Sequence, residues 1–203
     1  MNHEPTPISP KALLFDMDGT LTEPALDFPR IKAAMGIGTR PILEALAEMS
    51  PPEREKAQVI LHAFEEVAAA ESVLNAGCEE LMRFVRAQKW PAALITRNSR
   101  KSVRTVLERH GLFFPVLITR EDGRHKPHPD PLLLACARLN VSPSHVWMIG
   151  DGQYDVEAGV AAGIRTVWIS HGREKPFAAE PWRTVGDLTE LTALLQKCLP
   201  MQG

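Results

Sequence analysis

An apolar run is followed at once by two aspartates in the segment Ala12-Leu13-Leu14-Phe15-Asp16-Met17-Asp18-Gly19-Thr20-Leu21-Thr22. The apolar run is typical of a short buried strand, and Asp16 and Asp18 follow its carboxyl end. Bringing two carboxylates together at the end of a buried strand costs free energy unless a cation and a reaction require them. The stretch therefore predicts a buried strand and a chemical site beside it.

Apolar runs that end in polar residues or glycine recur along the chain, with helical patterns between them. The predicted strands are residues 11–16, 91–96, 116–119, 145–151 and 166–170, and the predicted helices of the same region are 78–89, 99–110, 130–139 and 155–162. Strands that are apolar on both faces are typical of a parallel sheet covered by helices above and below. We predict an α/β fold with a doubly wound, Rossmann-like parallel sheet, whose ligands bind beyond the carboxyl ends of the strands.

The region after the first strand breaks this alternation because it contains no convincing strand. Helical patterns cover residues 27–35 and 41–49, and a Ser-x-x-Glu capping box at Ser50 opens a longer helix. We therefore predict two parts, which are an α/β core of residues 1–22 and 77–203 and a small inserted α-helical cap of residues 23–76. The alternative is that these helices simply extend the core.

The composition limits the partners of the chain. Its 203 residues carry a formal net charge of -2, which provides no overall positive field for nucleic acid. No apolar run approaches the roughly 18 residues of a membrane span. The three cysteines are scattered and odd in number, as expected of reduced thiols. We expect a cytoplasmic protein, a monomer or homodimer, without nucleic-acid or membrane partners.

Four short motifs carry a resemblance to a known family. The Asp-x-Asp-x-Thr pattern of Asp16, Asp18 and Thr20 resembles the first motif of haloacid dehalogenase-like phosphatases. The other three motifs follow in the same order at predicted strand ends, and they are carried by Thr96, by Lys126, and by Asp151 with Asp155. The resemblance covers nearly the whole core and is to phosphoglycolate phosphatase-like members with a helical cap between the first two motifs. It implies an Mg²⁺-dependent phosphatase that acts on a small phosphorylated metabolite through an aspartyl-phosphate.

The chemistry of a phosphate monoester assigns separate roles to the two aspartates of the first motif. Its oxygens repel an anionic nucleophile, so a catalyst needs an attacking carboxylate and cations that cancel the repulsion. We assign Asp16 as the nucleophile. Asp18 projects to the same side of an extended segment, where it is placed to protonate the leaving oxygen and later to deprotonate water. Thr96 and Lys126 complete the predicted catalytic set.

The predicted metal ligands also come from the motifs. Mg²⁺ prefers octahedral oxygen coordination with one or two carboxylates. Asp16 and Asp151 are the predicted carboxylate ligands, and the resemblance implies the backbone carbonyl of Asp18 as a third protein ligand. Asp155 is predicted to orient a metal-bound water or Lys126 rather than to touch the ion. The alternative for Asp155 is an ordinary carboxylate at a helix N-terminus.

The predicted phosphate-binding residues follow the second strand. The Thr96 hydroxyl and the backbone amides of Arg97 and Asn98 are placed to hold phosphoryl oxygens. Lys126 supplies a positive charge for the nucleophile and the transferring phosphoryl group. Thr20 is predicted to support the nucleophile through a hydrogen bond.

Other functions stay open at this point. A phosphomutase of the β-phosphoglucomutase type would pass the phosphoryl group to a sugar phosphate instead of water, and a non-catalytic module would bind the phosphorylated ligand without turnover. A 2-haloacid dehalogenase is a third alternative, and Asp18 argues against it because that reaction protonates no oxygen leaving group. The insertion is shorter than the caps of typical phosphoglycolate phosphatases, which leaves open whether it closes over the site.

Overall fold

The computed structural model describes residues 9–199 of the chain. Within this range six strands form one sheet, and they are β1 Ala12–Phe15, β2 Ala92–Ile95, β3 Val116–Ile118, β4 Val146–Gly150, β5 Arg165–Ile169 and β6 Arg183–Val185. Their order is β3-β2-β1-β4-β5-β6, and every neighbouring pair is parallel. The predicted α/β fold with a Rossmann-like parallel sheet is confirmed.

The chain changes direction across the sheet between β3 and β4. The strands β1, β2 and β3 follow one another toward one edge, and the chain then returns to place β4 on the other side of β1. In open α/β sheets, ligands bind at such a switch point, beyond the carboxyl ends of the strands. The register pairs Phe15 with Ile149, so the loops that follow β1 and β4 begin side by side.

Helices cover both faces of the sheet. The α-helices of residues 9–199 are α1 Phe28–Met35, α2 Ile42–Glu48, α3 Pro51–Glu71, α4 Cys78–Ala87, α5 Arg100–His110, α6 Asp130–Leu139, α7 Gln153–Ala162 and α8 Leu188–Gln196. In the sheet part of the molecule, α4 packs against α8 and α6 packs against α7. None of the described helices has the length and apolar character needed to cross a membrane.

Burial on two faces explains why the strands are apolar throughout. All four residues of β1 are buried, and successive side chains point to opposite faces. Leu14 joins a cluster with Met148 and with Leu132 and Cys136 of α6. Burying a leucine of this kind contributes about 1.5–3 kcal/mol relative to leaving it exposed. The central strands therefore form a firm base for the loops at their carboxyl ends.

Two elements near the C-terminus, β6 and α8, lie outside the sequence-based predictions. The strand β6 is short, and its first two residues are exposed, so its apolar pattern is weak. The helix α8 begins after Asp187, whose Oδ1 accepts hydrogen bonds from the backbone N–H groups of Thr189 and Glu190, both at 2.8 Å. This capping aspartate and the buried leucines of α8 are signals that could have predicted the helix.

The chain divides into two compact units. A sheet unit contains residues 9–24, Val73–Arg97 and 112–199, and a helical unit contains Ala25–Ser72 and Asn98–Gly111. The helical unit therefore holds α1, α2, α3 and also α5, which packs against α3. Its buried apolar residues include members of α1, α2 and α3. The sequence assigns α5 to the core instead, and the role of residues 23–76 as a cap stays a prediction.

Candidate active site

The loop after β1 places Asp16 at the edge of the sheet. The Asp16 N–H donates to the carbonyl of Ile149 at 2.9 Å, which continues the pairing of β1 with β4 by one residue. The Met17 carbonyl then accepts the N–H groups of Leu21 at 2.9 Å and Thr22 at 3.0 Å, which closes a tight turn. Asp16 is only 9% exposed, so its carboxylate depends on protein partners rather than on water.

Gly19 meets two requirements in this turn. Its φ of +80° lies in the left-handed region that favours glycine. A Cβ at this position would also lie 2.5 Å from the carboxyl carbon of Asp151, which is closer than real contacts allow. The carboxylate of Asp151 therefore rests directly against the backbone of the first-motif loop.

Lys126 connects three parts of the site. It is only 2% exposed, and its ammonium donates to Asp16 Oδ1 at 2.6 Å, to Asp155 Oδ1 at 2.5 Å and to the Ile95 carbonyl at 2.8 Å. These contacts use all three N–H groups of the side chain. Because Ile95 ends β2 and directly precedes Thr96, Lys126 joins the ends of β1 and β2 to the start of α7.

Asp155 has both carboxylate oxygens engaged. Its Oδ1 accepts from Lys126, and its Oδ2 accepts from the Gly152 N–H at 3.1 Å in the first turn of α7. Gly150 leaves the space for this carboxylate, since a Cβ there would overlap Asp155. The contact with Lys126 is present, and the role of Asp155 in orienting Lys126 rather than touching an ion stays a prediction.

Three carboxylates meet at the switch point. Asp16, Asp151 and Asp155 each offer an oxygen, and these oxygens lie within 4.8 Å of one another. Since Asp155 is occupied by Lys126 and Gly152, the carboxylates best placed to hold a cation are those of Asp16 and Asp151. Asp18 is half-buried in the same loop as Asp16.

The charges of the site favour a cation. Burial raises the pKa of Asp16 well above its usual value; Lys126 opposes this effect, and the carboxylates of Asp155, Asp151 and Asp18 add to it. Burial alone would lower the pKa of Lys126, but the carboxylates of Asp155 and Asp16 overcome this, and the pKa is raised. One ammonium thus faces an excess of carboxylates, so a divalent, oxygen-preferring cation fits these residues.

Thr96 and Asn98 fall in different units. Thr96 is buried at the end of β2, and its N–H donates to the carbonyl of Ile118 at 3.0 Å. Asn98 is buried in the helical unit, directly before Ser99, whose hydroxyl accepts from the Ser102 N–H at 3.2 Å and caps α5. The phosphate-binding roles of Thr96 and Asn98 stay predictions.

The side chain of Arg97 makes contacts with the Lys126 loop and with Tyr154 that the sequence did not predict. Its guanidinium donates to the backbone carbonyl of Lys126 and lies 3.0 Å from His125 Nδ1. It also stacks over the ring of Tyr154, with 4.4 Å between the guanidinium carbon and the ring centroid. Arg97 therefore supports the loop that carries Lys126, whereas only its backbone amide is predicted to bind phosphate.

Thr20 does not make the predicted hydrogen bond. Its hydroxyl is fully buried and has no hydrogen-bond partner among residues 9–199. The loop is held instead through its backbone, because the side-chain amide of Asn75 donates to the carbonyls of Thr20 at 2.8 Å and Thr22 at 2.9 Å. Asn75 is a supporting residue that the sequence analysis did not find.

Three further residues near the end of β5 support the site and were not predicted. Arg173 Nη2 donates to Asp151 Oδ2 at 3.1 Å and to the Asp151 carbonyl at 3.2 Å. Trp168 Nε1 donates to the same carbonyl at 2.9 Å, and His171 Nε2 donates to the Gly19 carbonyl at 2.6 Å. These residues lie at or near the carboxyl end of a predicted strand, as the four motifs do. That position is the feature of the sequence that could have pointed to them.

Arg173 and His171 also act on the charge of Asp151. Burial and the nearby Asp155 raise the pKa of Asp151, and the hydrogen bond and charge of Arg173, followed by His171, oppose that rise. The net pKa is still above the usual value of an aspartate. The surroundings of Asp151 therefore provide too little positive charge to stabilise its carboxylate fully, and a metal ion would provide more.

Comparison with known proteins places the chain in a family. Residues 10–163 match the family model of haloacid dehalogenase-like hydrolases. The chain is 33% identical to a haloacid dehalogenase-like hydrolase domain-containing protein of Arabidopsis thaliana, over 92% of this chain and 84% of that protein. It is 32% identical to an N-acetylmuramic acid 6-phosphate phosphatase of Pseudomonas aeruginosa, over 82% of this chain and 84% of that protein. The chain belongs to the haloacid dehalogenase-like hydrolase family.

A solved structure supports the same fold. A hydrolase from Pseudomonas syringae superposes with a TM-score of 0.81 at 18% identity, over 93% of this chain and 99% of that chain. At this identity the likeness concerns the fold alone. The family and the hydrolase class predicted from the four motifs are confirmed, and so is the Rossmann-like fold predicted from the alternation of strands and helices.

Proposed function

We propose that this protein is an Mg²⁺-dependent phosphatase that hydrolyses a small phosphorylated metabolite through an aspartyl-phosphate at Asp16. The observation that carries the proposal is the buried contact of Lys126 with Asp16 and Asp155, next to the carboxylate of Asp151. A fixed cation beside a carboxylate nucleophile is what attack on an anionic phosphate ester needs. A relative at 32% identity that is named as a phosphatase supports the same chemistry.

Asp16 and Asp151 are the proposed carboxylate ligands of Mg²⁺, with the backbone carbonyl of Asp18 as a third ligand. Bound Mg²⁺ supplies positive charge that offsets the charge of the phosphoryl oxygens. Lys126 and the residues that follow β2 are the other protein groups proposed to act on Asp16 and the phosphoryl group. Lys126 opposes the rise that burial causes in the pKa of Asp16 and so favours its charged form, and the Thr96 hydroxyl and the Arg97 amide are the proposed donors to the phosphoryl oxygens.

The first chemical step transfers the phosphoryl group to the protein. A carboxylate oxygen of Asp16 forms a bond to phosphorus, and the bond between phosphorus and the ester oxygen breaks. The electron pair of that bond goes to the leaving oxygen, which takes a proton from Asp18. The products are the leaving alcohol, an acyl phosphate on Asp16 and an ionised Asp18.

The second step returns the enzyme to its starting state. Asp18 removes a proton from water as the water oxygen bonds to phosphorus, and the bond between phosphorus and the Asp16 oxygen breaks. The products are inorganic phosphate, the Asp16 carboxylate and a protonated Asp18. The same aspartate thus serves as acid and then as base.

A screen for phosphate release tests this proposal. The full chain is incubated with sugar phosphates, nucleotides, phosphoglycolate and amino-acid phosphates, with Mg²⁺ or with a chelator. We expect phosphate release on part of the panel that requires the metal and is lost in Asp16→Asn. Near-normal metal-dependent release by Asp16→Asn would show that the nucleophile is assigned wrongly.

The same screen separates the alternatives. Stoichiometric phosphate without isomerised sugar phosphate excludes a phosphomutase, and binding of esters without turnover would support a non-catalytic module. The wider expectations are part of the proposal: a cytoplasmic enzyme, a monomer or homodimer, with a core of residues 1–22 and 77–203 and a cap of residues 23–76. Gel filtration with light scattering tests the oligomeric state.

A further inference from the structure

The turn after β5 reaches back to two loops of the candidate active site. We call Trp168, His171 and Arg173 the β5 clamp. Trp168 and Arg173 donate hydrogen bonds to the loop that carries Asp151, and His171 donates to the carbonyl of Gly19 in the loop after β1. One short segment therefore fixes both loops from which the proposed metal ligands come.

Arg173 holds Asp151 at two points. Its Nη2 donates to the carboxylate oxygen Oδ2 and to the backbone carbonyl of the same residue, at 3.1 and 3.2 Å. Its Nε donates to the Ser170 carbonyl at 3.0 Å, which ties the guanidinium to the β5 turn. Contacts to both the backbone and the side chain of Asp151 limit its rotation and leave its Oδ1 available for a cation.

His171 has an uncommon backbone conformation, and its side chain reaches the Gly19 carbonyl. Its φ is +50°, in the left-handed region that residues other than glycine seldom occupy. The backbone N–H of His171 donates to the Gly186 carbonyl at 2.9 Å and holds the residue in place. Strained residues of this kind persist where the surroundings fix them, and they concentrate at functional sites.

We propose that the β5 clamp positions the metal ligands, with Arg173 orienting Asp151 and His171 fixing the Gly19–Thr20 peptide, one peptide beyond the Asp18 carbonyl. The proposal rests on the proposed Mg²⁺ site but not on phosphate-ester turnover. The competing explanation is that Arg173 only offsets the charge of Asp151. Positioning depends on the planar fork of the guanidinium, whereas charge compensation would be served equally by an ammonium.

Mg²⁺ binding to the full chain without substrate, measured by titration calorimetry, separates the two explanations. We expect Arg173→Lys and Arg173→Gln both to weaken Mg²⁺ binding, by about 10-fold or more, as is typical when a partner of a metal ligand is removed. If charge alone mattered, Arg173→Lys would bind Mg²⁺ like the wild type. Arg173→Gln would then bind Mg²⁺ more tightly, because a positive charge near the ion is lost. That pattern would overturn the proposal.

Two further variants separate positioning from general stability. Arg83→Gln removes an exposed arginine of α4 and is expected to leave Mg²⁺ affinity unchanged. His171→Gly removes the side chain but relieves the positive φ, so we expect the melting temperature of the metal-free protein to hold while Mg²⁺ affinity falls several-fold. Unchanged affinity in both Arg173→Lys and His171→Gly would refute the clamp.

The outcomes also distinguish the clamp from the proposed function. A wild-type protein that binds Mg²⁺ through the clamp but releases no phosphate from any ester would retain the clamp and overturn the phosphatase. A wild-type protein that shows no Mg²⁺ binding at all would overturn the clamp, because the clamp would then have no metal ligands to position.

Discussion

At the scale of single residues, Lys126 shows how the site is held together. A buried ammonium is costly unless it is paired and hydrogen-bonded, and here two carboxylates and a carbonyl satisfy it completely. The same contacts hold the proposed nucleophile Asp16 and its neighbour Asp155 in fixed directions. Stability and chemistry therefore depend on one side chain.

Lys126→Met is expected to destabilise the protein and to abolish turnover. It leaves Asp16 and Asp155 buried without their shared cation, and removing one partner of a buried ion pair costs about 3–5 kcal/mol. Urea denaturation followed by circular dichroism measures the loss. A loss well below 1 kcal/mol would contradict the view that Lys126 compensates buried charge.

Asp16→Asn is expected to have the opposite effect on the metal-free protein. Burial raises the pKa of Asp16, so the folded chain holds this proton more tightly than the unfolded chain does. The charged form is then unfavourable in the fold, and stability rises as the pH falls from above the folded pKa toward the unfolded value. We expect the melting temperature of Asp16→Asn at neutral pH to lie above that of the wild type.

The pH dependence provides the check on that prediction. The advantage of Asp16→Asn over the wild type should shrink as the pH is lowered, because the wild-type carboxyl then becomes protonated in the fold. Differential scanning calorimetry without metal measures both proteins across the range. A variant that melts below the wild type at neutral pH would show that the Lys126 contact outweighs the cost of burial.

Gly19→Ala is expected to strain the backbone and also to disturb the candidate metal site. Alanine in the left-handed region costs about 1–2 kcal/mol at any position. At Gly19 the added Cβ would also displace the carboxylate of Asp151. Gly163→Ala is the matched control, since Gly163 has a φ of +66° and nothing within 4 Å of its Cβ position.

The readouts for this pair are the free energy of unfolding and the Mg²⁺ affinity. We expect both variants to lose similar backbone stability, and only Gly19→Ala to lose Mg²⁺ affinity and turnover. Equal Mg²⁺ affinity in the two variants would show that contact between the loop and Asp151 is unimportant.

At the scale of elements, the strands and helices differ in how well the sequence predicts them. β1 and β4 are apolar at every position because they lie between two helical layers, so their runs stand out. β6 lies at the edge of the sheet and needs no such run, so it was missed. The start of α3 was predicted because its capping box is a local signal.

Ser50→Ala tests that local signal. The Ser50 N–H donates to Glu53 Oε2 at 3.1 Å and its hydroxyl donates to the same oxygen at 2.5 Å, at the start of α3. We expect a loss of about 1 kcal/mol in the free energy of unfolding, measured with urea, and recovery in Ser50→Thr. Full stability in Ser50→Ala would mean that packing alone fixes the start of α3.

The candidate site shows a similar division between local and distant signals. Short sequence motifs predicted the functions of Asp16, Lys126 and Asp155. In the structure Lys126 contacts both aspartates. Arg173 contacts Asp151 across 22 positions of sequence, and that contact depends on how β5 pairs with β4. Local sequence patterns do not show the register in which two strands pair. The β5 clamp could therefore not be predicted from the sequence.

At the scale of the whole molecule, the strand order explains how distant residues form one site. β1 and β4 are adjacent although more than a hundred residues separate them, and their carboxyl ends bring Asp16 beside Asp151. Membership of the haloacid dehalogenase-like hydrolases agrees with this arrangement. The sheet therefore supplies the frame, and the loops at the switch point supply the chemistry.

Reductive trapping of the acyl phosphate tests whether Asp16 is the nucleophile. Borohydride added during turnover of a substrate found in the phosphatase screen converts an aspartyl-phosphate to homoserine, and mass spectrometry of the digested chain locates the change. We predict homoserine at position 16 in the wild type, dependent on Mg²⁺ and on substrate, and none in a protein that lacks substrate. Phosphate release without homoserine at this position, or with homoserine at another aspartate, would contradict the claim that Asp16 is the nucleophile.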